Sequence, residues 1–505
     1  MPYVVTQPCC GDASCVVACP VNCIHPAPGE PGFAEAEMLY VDPRACVDCG
    51  ACATACPVGA IKPHTTLTEA ERPFIALNDS YYAQFPHADR APLAPVPRER
   101  PHDTEGLRVA VVGAGPAGMY TADELLRHPG VAVDVFDRLR TPYGLARTGV
   151  APDHPDTRQV TSLFATIEDQ PGFGYQLGVE VGTHVSAEEL ARHYHAVVHA
   201  TGALGERRLG IPGEDLPGCL SATDLVQWYN DHPDHRGTFV DLGGDRVVVV
   251  GNGNVALDVA RILTADPAAL AMTDIADDAL ATLRGSRVQE VVVLGRRGPA
   301  EAAFTIPELV GLAGLREVDV LVDARDGEIV ADSPKTALLA DLARRRPVPG
   351  RRRIVLRFGT SPVRILGERQ VCGVEVASAG GREVLTTGMV LRAIGHRVQP
   401  VPGLPYDDTA GRIPHEHGRV RPGVYLAGWL KRGPSGFIGT NKSCAAETVA
   451  SLLDDHARGL LPEPTGSLAE LRALVRDRLP DVIDLARWRA GDPIRRSRRR
   501  ALPVG

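Results

Sequence analysis

Short runs of β-branched residues, each followed by a stretch with helical spacing, dominate the chain after residue 107. Such runs predict buried strands, and the stretches between them predict helices that cross from one strand to the next. Two βαβ openings of this kind predict two nucleotide-binding α/β domains. The predicted strands are LRVAVVG (107–113), VAVDVF (131–136), DRVVVVG (245–251) and VQEVVVLG (288–295), and the predicted helices are 116–127, 254–264 and 468–479.

The first 62 residues follow a different pattern. They contain few large apolar residues, and nine of the twelve cysteines of the chain lie between Cys9 and Cys56. Residues 63–90 hold aromatic side chains that could pack onto a neighbouring element, and residues 91–106 are rich in proline and charge, which predicts an extended linker. The N-terminal segment therefore needs something besides apolar burial to fold.

Length, net charge and the distribution of apolar residues argue against several classes of protein. With 505 residues, the chain should form about three domains at roughly 150 residues each. A net charge of −8 argues against a nucleic-acid-binding body, and the basic run 495–500 is expected to be a solvated tail. No apolar run reaches membrane-spanning length, and no signal peptide precedes the cysteines, so we expect a cytoplasmic protein. A reducing compartment disfavours disulfides and favours metal ligation by the cysteines.

The cysteine spacing is that of bacterial ferredoxins. The run CVDCGACATACP has the form C-x2-C-x2-C-x3-C-P, in which three thiolates bind one iron–sulfur cluster and the fourth crosses to another. An upstream copy repeats the spacing with aspartate in place of its second cysteine. The expected ligands are Cys19, Cys46, Cys49 and Cys52 for a 4Fe-4S cluster, and Cys9, Cys15 and Cys56 with Asp12 or no fourth ligand for the second.

The aspartate leaves the type of the second cluster open. A carboxylate is a harder and weaker iron ligand than a thiolate, so this centre is either a 3Fe-4S cluster or an Asp12-ligated 4Fe-4S cluster. A structural zinc site is the alternative for the whole segment, but one zinc ion takes only four ligands and the double pattern supplies more. Cys10 and Cys23 lie outside the ligand spacing.

The first glycine motif lies between a predicted strand and helix. Glycines at these positions allow a tight turn and a close approach of the backbone to a pyrophosphate at the helix N-terminus. Asp137 ends the next strand, where a carboxylate accepts hydrogen bonds from ribose hydroxyls and repels a 2′-phosphate, which favours FAD or NAD over NADP. The motif consists of Gly113, Ala114, Gly115, Pro116, Ala117 and Gly118.

The second motif differs at the end of its following strand. Alanine replaces the third glycine of the motif, and the next strand ends in Arg296 and Arg297 rather than in an acid. Two guanidinium groups suit the bidentate geometry of a 2′-phosphate, so this site is predicted to bind NADP(H). The alternative is that the two arginines are only a solvated strand end. The turn itself comprises Asn252, Gly253, Asn254 and Val255.

Five long motifs in order resemble the adrenodoxin-reductase type of ferredoxin–NADP reductase over residues 107–460. They are VAVVGAGPAGMY, TPYGLARTGVAPDHP, VVVVGNGNVALDVARIL, VLGRRGPAEAAFTIPEL and AGWLKRGPSGFIGTNK. The segment 1–62 resembles two-cluster ferredoxins, and the whole resembles bacterial members with a ferredoxin ahead of the reductase. Asp137 replaces the glutamate commonest at that position.

The resemblance implies a fold and a domain order. We expect an α+β ferredoxin domain followed by two Rossmann-like α/β domains of the glutathione-reductase-like type, with the NADP domain inserted into the FAD domain. The expected bounds are 1–62 for the ferredoxin, 63–106 for the connecting segment and linker, 107–204 and 392–460 for the FAD domain, 205–391 for the NADP domain and 461–505 for a helical tail.

Site residues follow from the resemblance, motif by motif. It implies that His154 and Glu308 are candidates to shape hydride transfer and flavin protonation, although a loop histidine and a helix-start acid also occur as purely structural features. Gly436 would lie where nicotinamide reaches the flavin. The implied flavin ligands include Gly113 to Gly118, Asp137, Leu145, Val181, Trp429, Gly436, Phe437 and Ile438, and the implied NADP ligands are Asn252 to Val255, Arg296, Arg297, Glu308 and Arg207.

The implied activity is NADPH–ferredoxin oxidoreduction. Hydride passes from NADPH to FAD, and single electrons pass on to the clusters of the fused ferredoxin, to a separate ferredoxin or to another one-electron acceptor protein such as a cytochrome P450 system. Two alternatives stay open: an electron-input module like the small subunit of glutamate synthase, and a non-catalytic iron–sulfur redox sensor.

Overall fold

The computed structural model describes residues 3–86, 103–235, 240–323 and 329–491. The chain divides into two compact units. Unit one comprises Met1–Pro95, Thr148–Gln159 and Glu206–Gly395, and unit two comprises Val96–Arg147, Val160–Gly205 and His396–Gly505. Most of the predicted linker (91–102) and the basic run 495–500 lie outside the described residues.

Strands and helices alternate through most of the described chain. The strands are β1 (Tyr3–Val5), β2 (Ile24–His25), β3 (Tyr40–Val41), β4 (Ile61–Pro63), β5 (Arg108–Val112), β6 (Ala132–Asp137), β7 (Phe173–Leu177), β8 (Ala196–His199), β9 (Gly205–Glu206), β10 (Cys219–Ser221), β11 (Arg246–Val250), β12 (Glu290–Leu294), β13 (Val318–Asp323), β14 (Arg352–Arg357), β15 (Ser361–Leu366), β16 (Gly373–Ser378), β17 (Gly381–Thr386), β18 (Met389–Arg392), β19 (His396–Arg397), β20 (Arg419–Arg421) and β21 (Val424–Leu426). The α-helices are α1 (Ser14–Ala18), α2 (Ala51–Ala55), α3 (Pro73–Gln84), α4 (Pro116–Leu126), α5 (Leu145–Thr148), α6 (Pro155–Arg158), α7 (Val160–Ile167), α8 (Ala187–His193), α9 (Ala222–Tyr229), α10 (Asn254–Thr264), α11 (Pro267–Leu270), α12 (Asp277–Arg284), α13 (Ile306–Ala313), α14 (Pro334–Ala343), α15 (Trp429–Arg432), α16 (Thr440–Ala457), α17 (Leu468–Arg478) and α18 (Leu485–Gly491). The strands and helices predicted around both glycine motifs are confirmed, with bounds within two residues.

The N-terminal part of unit one has an internal pseudo-symmetry. Strands β1 and β4 pair antiparallel, as do β2 and β3. The short helices α1 and α2 each follow a residue in the left-handed region, Ala13 at φ 59° and Gly50 at φ 76°, and each is followed by a cysteine with φ near −75°, Cys19 and Cys56. The duplicated cysteine spacing therefore corresponds to a duplicated backbone.

Helix α3 completes this part and lies beyond the predicted boundary at residue 62. Its buried Asn78 accepts hydrogen bonds from the backbone N–H of Val5 at 3.2 Å and of Val41 at 2.9 Å, so it joins two strands that do not pair with each other. The Tyr82 hydroxyl lies 2.7 Å from the carbonyl oxygen of Tyr40. Because Phe74 is also buried in the same core, the packed unit includes the aromatic residues of the connecting segment.

The remainder of unit one is built on a six-stranded parallel sheet in the order β10-β18-β11-β12-β14-β13. Central strands of parallel sheets are covered on both faces, and β11 is accordingly an almost continuous run of buried valines. An antiparallel meander, β15-β16-β17, is inserted before β18. The carboxyl end of β11 leads into the second glycine motif and α10.

Unit two contains the other six-stranded sheet, in the order β20-β21-β8-β5-β6-β7. All of its neighbouring strands run parallel except β20 and β21. The predicted tail helix is confirmed as α17, and its Leu471 and Val475 belong to the core that covers β5 and β8. The tail up to residue 491 is therefore an integral layer of unit two. Among the described residues, no helix combines the length and the apolar character required to span a membrane.

Candidate functional site

The cysteines predicted as ligands form two groups in unit one. Burial raises the pKa of Cys52 to about 11, and further increases come from the neighbouring thiols of Cys46, Cys19 and Cys49. These four residues are the predicted set for the first cluster, including Cys19 from the upstream copy.

The second group contains the remaining predicted ligands. Burial raises the pKa of Cys15 well above its usual range, with further increases from Cys9, Asp12 and Cys56. Burial likewise raises the pKa of Cys9 to about 11, where Cys56 and Asp12 add to the effect. Cys15 is also affected by Cys52 of the first group, so the two groups are neighbours, and the division of the ligands between two clusters stays a prediction.

The distances between the cysteine sulfurs bear on whether these residues bind iron–sulfur clusters or a single zinc ion. Four thiolates on one tetrahedral zinc ion, at about 2.3 Å from the metal, lie about 3.8 Å from one another. Among the described residues, no three cysteine sulfurs lie within 4.8 Å of one another. The sulfurs of the described cysteines are therefore spaced more widely than the thiolates of a single zinc ion.

Cys23 contacts the first group although its spacing excludes it from the ligand pattern. Its sulfur lies 3.4 Å from that of Cys19. Hydrogen bonding with the Cys23 thiol, whose single proton serves one of the two sulfurs at a time, lowers the pKa of Cys19 and of Cys46 to about 6. Because iron binds the thiolate form, this thiol favours the form of its two neighbours that binds metal.

Asp12 is buried, and its carboxylate already has hydrogen-bond partners in the backbone and the side chain of a neighbouring residue. Its carboxylate accepts hydrogen bonds from the Ser14 N–H at 3.2 Å and the Ser14 hydroxyl at 2.5 Å. This Asp-turn sets up the first turn of α1, so aspartate at this position has a structural role whether or not it contacts iron.

The first glycine motif has the geometry of a dinucleotide-binding turn. Gly113 has φ +111°, and a Cβ there would lie 2.6 Å from the carbonyl oxygen of Ala200. A Cβ at Gly118 would lie 1.8 Å from the carbonyl oxygen of Gly113, so α4 packs against its own strand only with glycine at this position. The motif therefore leaves the first turn of α4, with its unpaired N–H groups, open to an anionic group.

Asp137 stabilises the turn itself, in addition to any role in binding a ligand. Its carboxylate accepts hydrogen bonds from the backbone N–H of Ala114 and of Leu139, both at 2.8 Å. A carboxylate oxygen can accept more than one hydrogen bond, so these two bonds do not prevent acceptance from a ribose hydroxyl. Leu145 is 50 % exposed, which leaves an apolar face beside this turn. Val181, by contrast, packs against the core of the sheet.

Trp429 and residues 436–438 lie at the start of two helices in unit two. Trp429 begins α15, and its indole N–H donates to the carbonyl of Ser435 at 3.1 Å. The N–H of Phe437 donates to the Thr440 hydroxyl at 2.9 Å. Gly436 has φ +81°, and a Cβ there would approach Thr440 to 2.9 Å, so the backbone itself requires glycine at this position.

The second glycine motif repeats the first in unit one. Gly251 has φ +108°, and a Cβ there would lie 2.2 Å from the carbonyl oxygen of Ala393. The Asn254 side chain exchanges two hydrogen bonds with Thr305, at 2.9 and 3.3 Å, and so ties the turn to the loop before α13. Val255, at the start of α10, is 39 % exposed.

Cationic side chains are exposed beyond the end of β12. Arg296 and Arg297 directly follow Gly295, and Arg297 has only a long, exposed ion pair with Glu301, at 3.8 Å. Both arginines are therefore available to an anion at the edge of the sheet where the motif lies. Arg207 is exposed, and its backbone N–H donates to the carbonyl of Gly395 at 3.2 Å.

His154 and Glu308 lie together in unit one, as do several residues that the sequence analysis did not single out. Ligand atoms of His154, Asp258 and Glu308 lie within 4.8 Å of one another. Burial raises the pKa of Glu308, Asp258 raises it further, and His154, Arg261 and Gln7 oppose the increase. Glu308 lies in the first turn of α13. It therefore has both the helix-start position that would suit a purely structural acid and contacts with the other residues of the cluster.

Arg261 argues against a metal ion among these acids. Its buried guanidinium bonds to Asp153 at 2.5 and 3.0 Å and to Asp258 at 2.8 Å, and its Nη1 lies 3.8 Å from Glu308. The cluster thus already contains a fixed cation. Asp258 and Arg261 occupy one face of α10 at i and i+3, and this spacing, next to a glycine motif, is the signal that could have identified them.

Comparisons with known proteins agree with this arrangement. The pyridine nucleotide-disulphide oxidoreductase family matches residues 107–297, and the 4Fe-4S binding domain family matches residues 39–62. A probable ferredoxin/ferredoxin–NADP reductase of Mycobacterium tuberculosis is 50 % identical over 97 % of this chain and 90 % of its own length. The NADPH-ferredoxin reductase FprA of Mycobacterium leprae is 43 % identical over 79 % of this chain and 94 % of its own.

A solved structure extends the agreement to the fold. The structure of Mycobacterium tuberculosis FprA in complex with NADPH superposes with a TM-score of 0.73 at 40 % identity, covering 79 % of this chain and 95 % of that one. The 21 % of this chain that FprA leaves uncovered is about 106 residues, which is close to the combined length of the cysteine-rich segment 1–62 and the connecting segment 63–106. The chain belongs to the ferredoxin–NADP reductases of the adrenodoxin-reductase type, in the group that carries a ferredoxin ahead of the reductase.

Proposed function

We propose that this chain is an NADPH–ferredoxin oxidoreductase that moves electrons between NADPH and iron–sulfur clusters bound to its own N-terminal part. The observation that carries the proposal is the presence, in one chain, of two cysteine groups with crossed membership and two separate dinucleotide-binding turns. When bound, FAD supplies the conversion between the two-electron chemistry of nicotinamide and the one-electron chemistry of the clusters.

The flavin is assigned to unit two. The turn at Gly113 to Gly118 approaches the pyrophosphate, and Asp137 accepts from the ribose while it fixes the turn through Ala114. An acid at this position selects against a 2′-phosphate. Leu145, Trp429, Phe437 and Ile438 contribute apolar surface and backbone groups to the same cofactor, whereas Val181 packs in the core and contributes through the position of its backbone.

NADP(H) is assigned to unit one. The turn at Asn252 to Val255 receives the pyrophosphate at the start of α10, and Arg296 with Arg297 receives the 2′-phosphate. Exposed arginines without a short ion pair are well suited to this role, because no existing bond has to break when the phosphate arrives. Arg207 is a further cation on the same unit.

The two clusters differ in the number of thiolates. Cys19, Cys46, Cys49 and Cys52 bind a 4Fe-4S cluster. Cys9, Cys15 and Cys56 bind the second, and we assign it as a three-iron centre because the fourth corner offers only the carboxylate of Asp12. A carboxylate is a harder and weaker ligand for iron than a thiolate, and this one already accepts hydrogen bonds from Ser14.

Glu308 and His154 handle protons beside the nicotinamide site. Glu308 is partly buried, its pKa is raised, and it lies beside His154 and the fixed cation of Arg261. A carboxyl group whose pKa is raised in this way is a candidate for general acid–base catalysis. Neither residue needs to act as a nucleophile.

The ferredoxin part is packed against the NADP part rather than only tethered to it. Val310 of α13 belongs to the same hydrophobic core as the cysteine-rich segment. Glu37 pairs with Lys335 at 3.1 Å, and Glu69 pairs with Arg316. A fused carrier seated in this way serves as an internal relay, from which a separate ferredoxin, a cytochrome P450 system or another acceptor protein collects electrons.

The experiment compares two acceptors in parent and Cys49→Ser protein. Ferricyanide takes electrons directly from flavin, whereas cytochrome c reduction is expected to need the clusters. Cys49→Ser should keep NADPH–ferricyanide turnover and lose most cytochrome c turnover, with Cys372→Ser, an exposed cysteine outside both groups, as control. Equal cytochrome c rates would contradict the relay. Absence of NADPH–ferricyanide turnover in the parent would favour a redox sensor.

A further inference from the structure

The ferredoxin part places a neutral side chain between the two predicted catalytic residues. The amide nitrogen of Gln7 donates to Glu308 Oε2 at 3.0 Å and lies 3.5 Å from His154 Nε2. An amide NH₂ group has two hydrogens, so a single side chain can serve both acceptors. In the neutral tautomer of His154 that carries its proton on Nδ1, Nε2 accepts the second of these hydrogen bonds.

Helix α13 is shaped to receive this side chain. A Cβ at Gly311 would lie 2.5 Å from Oε1 and 2.6 Å from Nε2 of Gln7, so the amide lies directly on the glycine backbone. Gly311 is in the middle of the helix, where glycine is unfavourable relative to alanine. The glycine makes room for Gln7, at a cost to the propensity of the helix.

A second ferredoxin residue holds the start of the same helix. The first N–H of α13, from Ile306, donates to Glu37 Oε2 at 2.6 Å. The N-cap residue Thr305 makes no side-chain capping bond, so Glu37 supplies this cap from more than 260 residues away in sequence. The carboxylate also complements the positive end of the helix dipole.

We propose that Gln7 is a positioning residue for Glu308 and His154, so that the ferredoxin part arranges the proton-handling pair of the reductase. The proposal rests on the role proposed above for Glu308. Gln7 is two residues from Cys9, so the same short segment contributes to the second cluster and to the pair. Loss of the amide disturbs the pair without disturbing the cluster ligands.

Simple adhesion between the two parts would not need this arrangement. The apolar contact through Val310 and the exposed Glu69–Arg316 pair already join the parts. Gln7 instead directs a polar group at a partly buried carboxyl group and an imidazole, where an apolar side chain would leave both without this donor.

The groups that face Glu308 fix the direction of the expected effect. Helix α10 presents Asp258 and Arg261, and the loop before α6 presents His154, with Asp153 held behind Arg261. The Gln7 amide favours the carboxylate form of Glu308, because it donates to it. Removing that donor therefore raises the pH at which Glu308 loses its proton.

Two variants remove the contact by different routes in the full-length holoenzyme. Gln7→Met keeps the length of the side chain and deletes the amide. Gly311→Ala keeps the amide, displaces it with the new Cβ and favours the helix, so it guards against loss of folding. Glu69→Gln alters the same interface away from Glu308 and is the matched control, and Glu308→Gln is the reference for signals that belong to Glu308.

Two readouts are compared across pH. The first is the infrared carboxyl band that disappears in Glu308→Gln, and the second is the rate of flavin reduction by NADPH in stopped flow. Gln7→Met and Gly311→Ala should each move both transitions to higher pH by about half a unit or more, roughly a threefold change in proton affinity, and Glu69→Gln should match the parent.

Three results would overturn the proposal. In the first, both variants titrate where the parent does. In the second, the infrared transition moves while the rate profile stays in place, so that Gln7 touches Glu308 without serving the reaction. In the third, Glu308→Gln itself leaves flavin reduction unchanged, which removes the proposed role of Glu308 while leaving the NADPH-to-cluster relay intact.

Discussion

Trp488, in the last described helix of unit two, donates its indole N–H to the carboxylate of Glu168 at 3.1 Å. Glu168 is fully buried and also accepts from the hydroxyls of Tyr143 at 2.5 Å and Tyr175 at 3.0 Å. Tyr143 directly precedes the Gly144–Leu145 turn assigned to the flavin. The tail is thus linked, through one buried carboxylate, to the loop that we propose binds the flavin.

Trp488→Phe should weaken flavin retention. The ring would keep its packing against Tyr143, but Glu168 would lose one of three donors, which costs about 1–3 kcal/mol for a buried group. We expect a lower unfolding temperature of unit two and faster FAD release on dilution, measured by flavin fluorescence. Trp228→Phe, a buried tryptophan of unit one, is the control. Unchanged FAD release in Trp488→Phe would show that the tail does not support the loop.

Arg296→Ala with Arg297→Ala should reduce the preference for NADPH over NADH. Loss of two charge-assisted hydrogen bonds to a 2′-phosphate should raise the KM for NADPH about 10- to 100-fold and leave the KM for NADH nearly constant. Arg369→Ala, an exposed arginine in the turn between β15 and β16, should change neither constant. Parallel increases for both nucleotides would contradict the 2′-phosphate assignment.

Asp12→Cys should convert the second cluster to a four-iron cube. A thiolate at this corner is a strong ligand for the fourth iron, whereas the carboxylate of Asp12 is engaged with Ser14. The parent should show the paramagnetic resonance of an oxidised three-iron cluster, and the variant should lose that signal and gain iron. Cys10→Ala, outside both ligand sets, is the control. A parent protein without the oxidised signal would overturn the three-iron assignment.

His199 should make unit two less stable as the pH falls. Burial lowers the pKa of His199 to about 4, and among the described residues its Nδ1 has no hydrogen-bond partner. Below its ordinary pKa of about 6.5 the unfolded chain takes up a proton that the folded chain does not, so stability decreases between pH 6.5 and pH 4. The expected loss from pH 7 to pH 5 is about 2 kcal/mol.

The comparison for His199 uses urea unfolding of parent and His199→Leu protein at both pH values. The variant should lose about 2 kcal/mol less on acidification than the parent. The exposed His417 replaced by glutamine should behave as the parent does. Identical pH dependence in parent and His199→Leu would mean that His199 is protonated in the folded chain.

The sequence predicts well where local geometry dictates residue type. Gly113 and Gly251 both have positive φ and would clash with a backbone carbonyl if they carried a Cβ, so the motif itself locates each strand end and helix start. The duplicated cysteine spacing likewise corresponds to two matching helical turns, α1 and α2, because the same spacing is needed to bring thiolates together in each copy.

Contacts between segments distant in the sequence are less predictable. Nothing near Gln7 indicates that it reaches Glu308, some 300 residues later, and Glu37 caps α13 although a local residue of suitable type, Thr305, stands at the N-cap position. The packing partner of helix α3 could not be predicted, because its aromatic residues face β1 and β3, which are separated from it by loops. These contacts depend on tertiary packing, which spacing alone does not encode.

The most direct test of the relay is anaerobic titration of the full-length protein with NADPH, followed by flavin absorbance and by electron paramagnetic resonance of the clusters in the same samples. The account predicts that flavin bleaching and cluster signals both respond to NADPH, and that Cys49→Ser abolishes only the signal of the first cluster. A flavin that bleaches while neither cluster changes would contradict it, and would make the ferredoxin part an input for another donor.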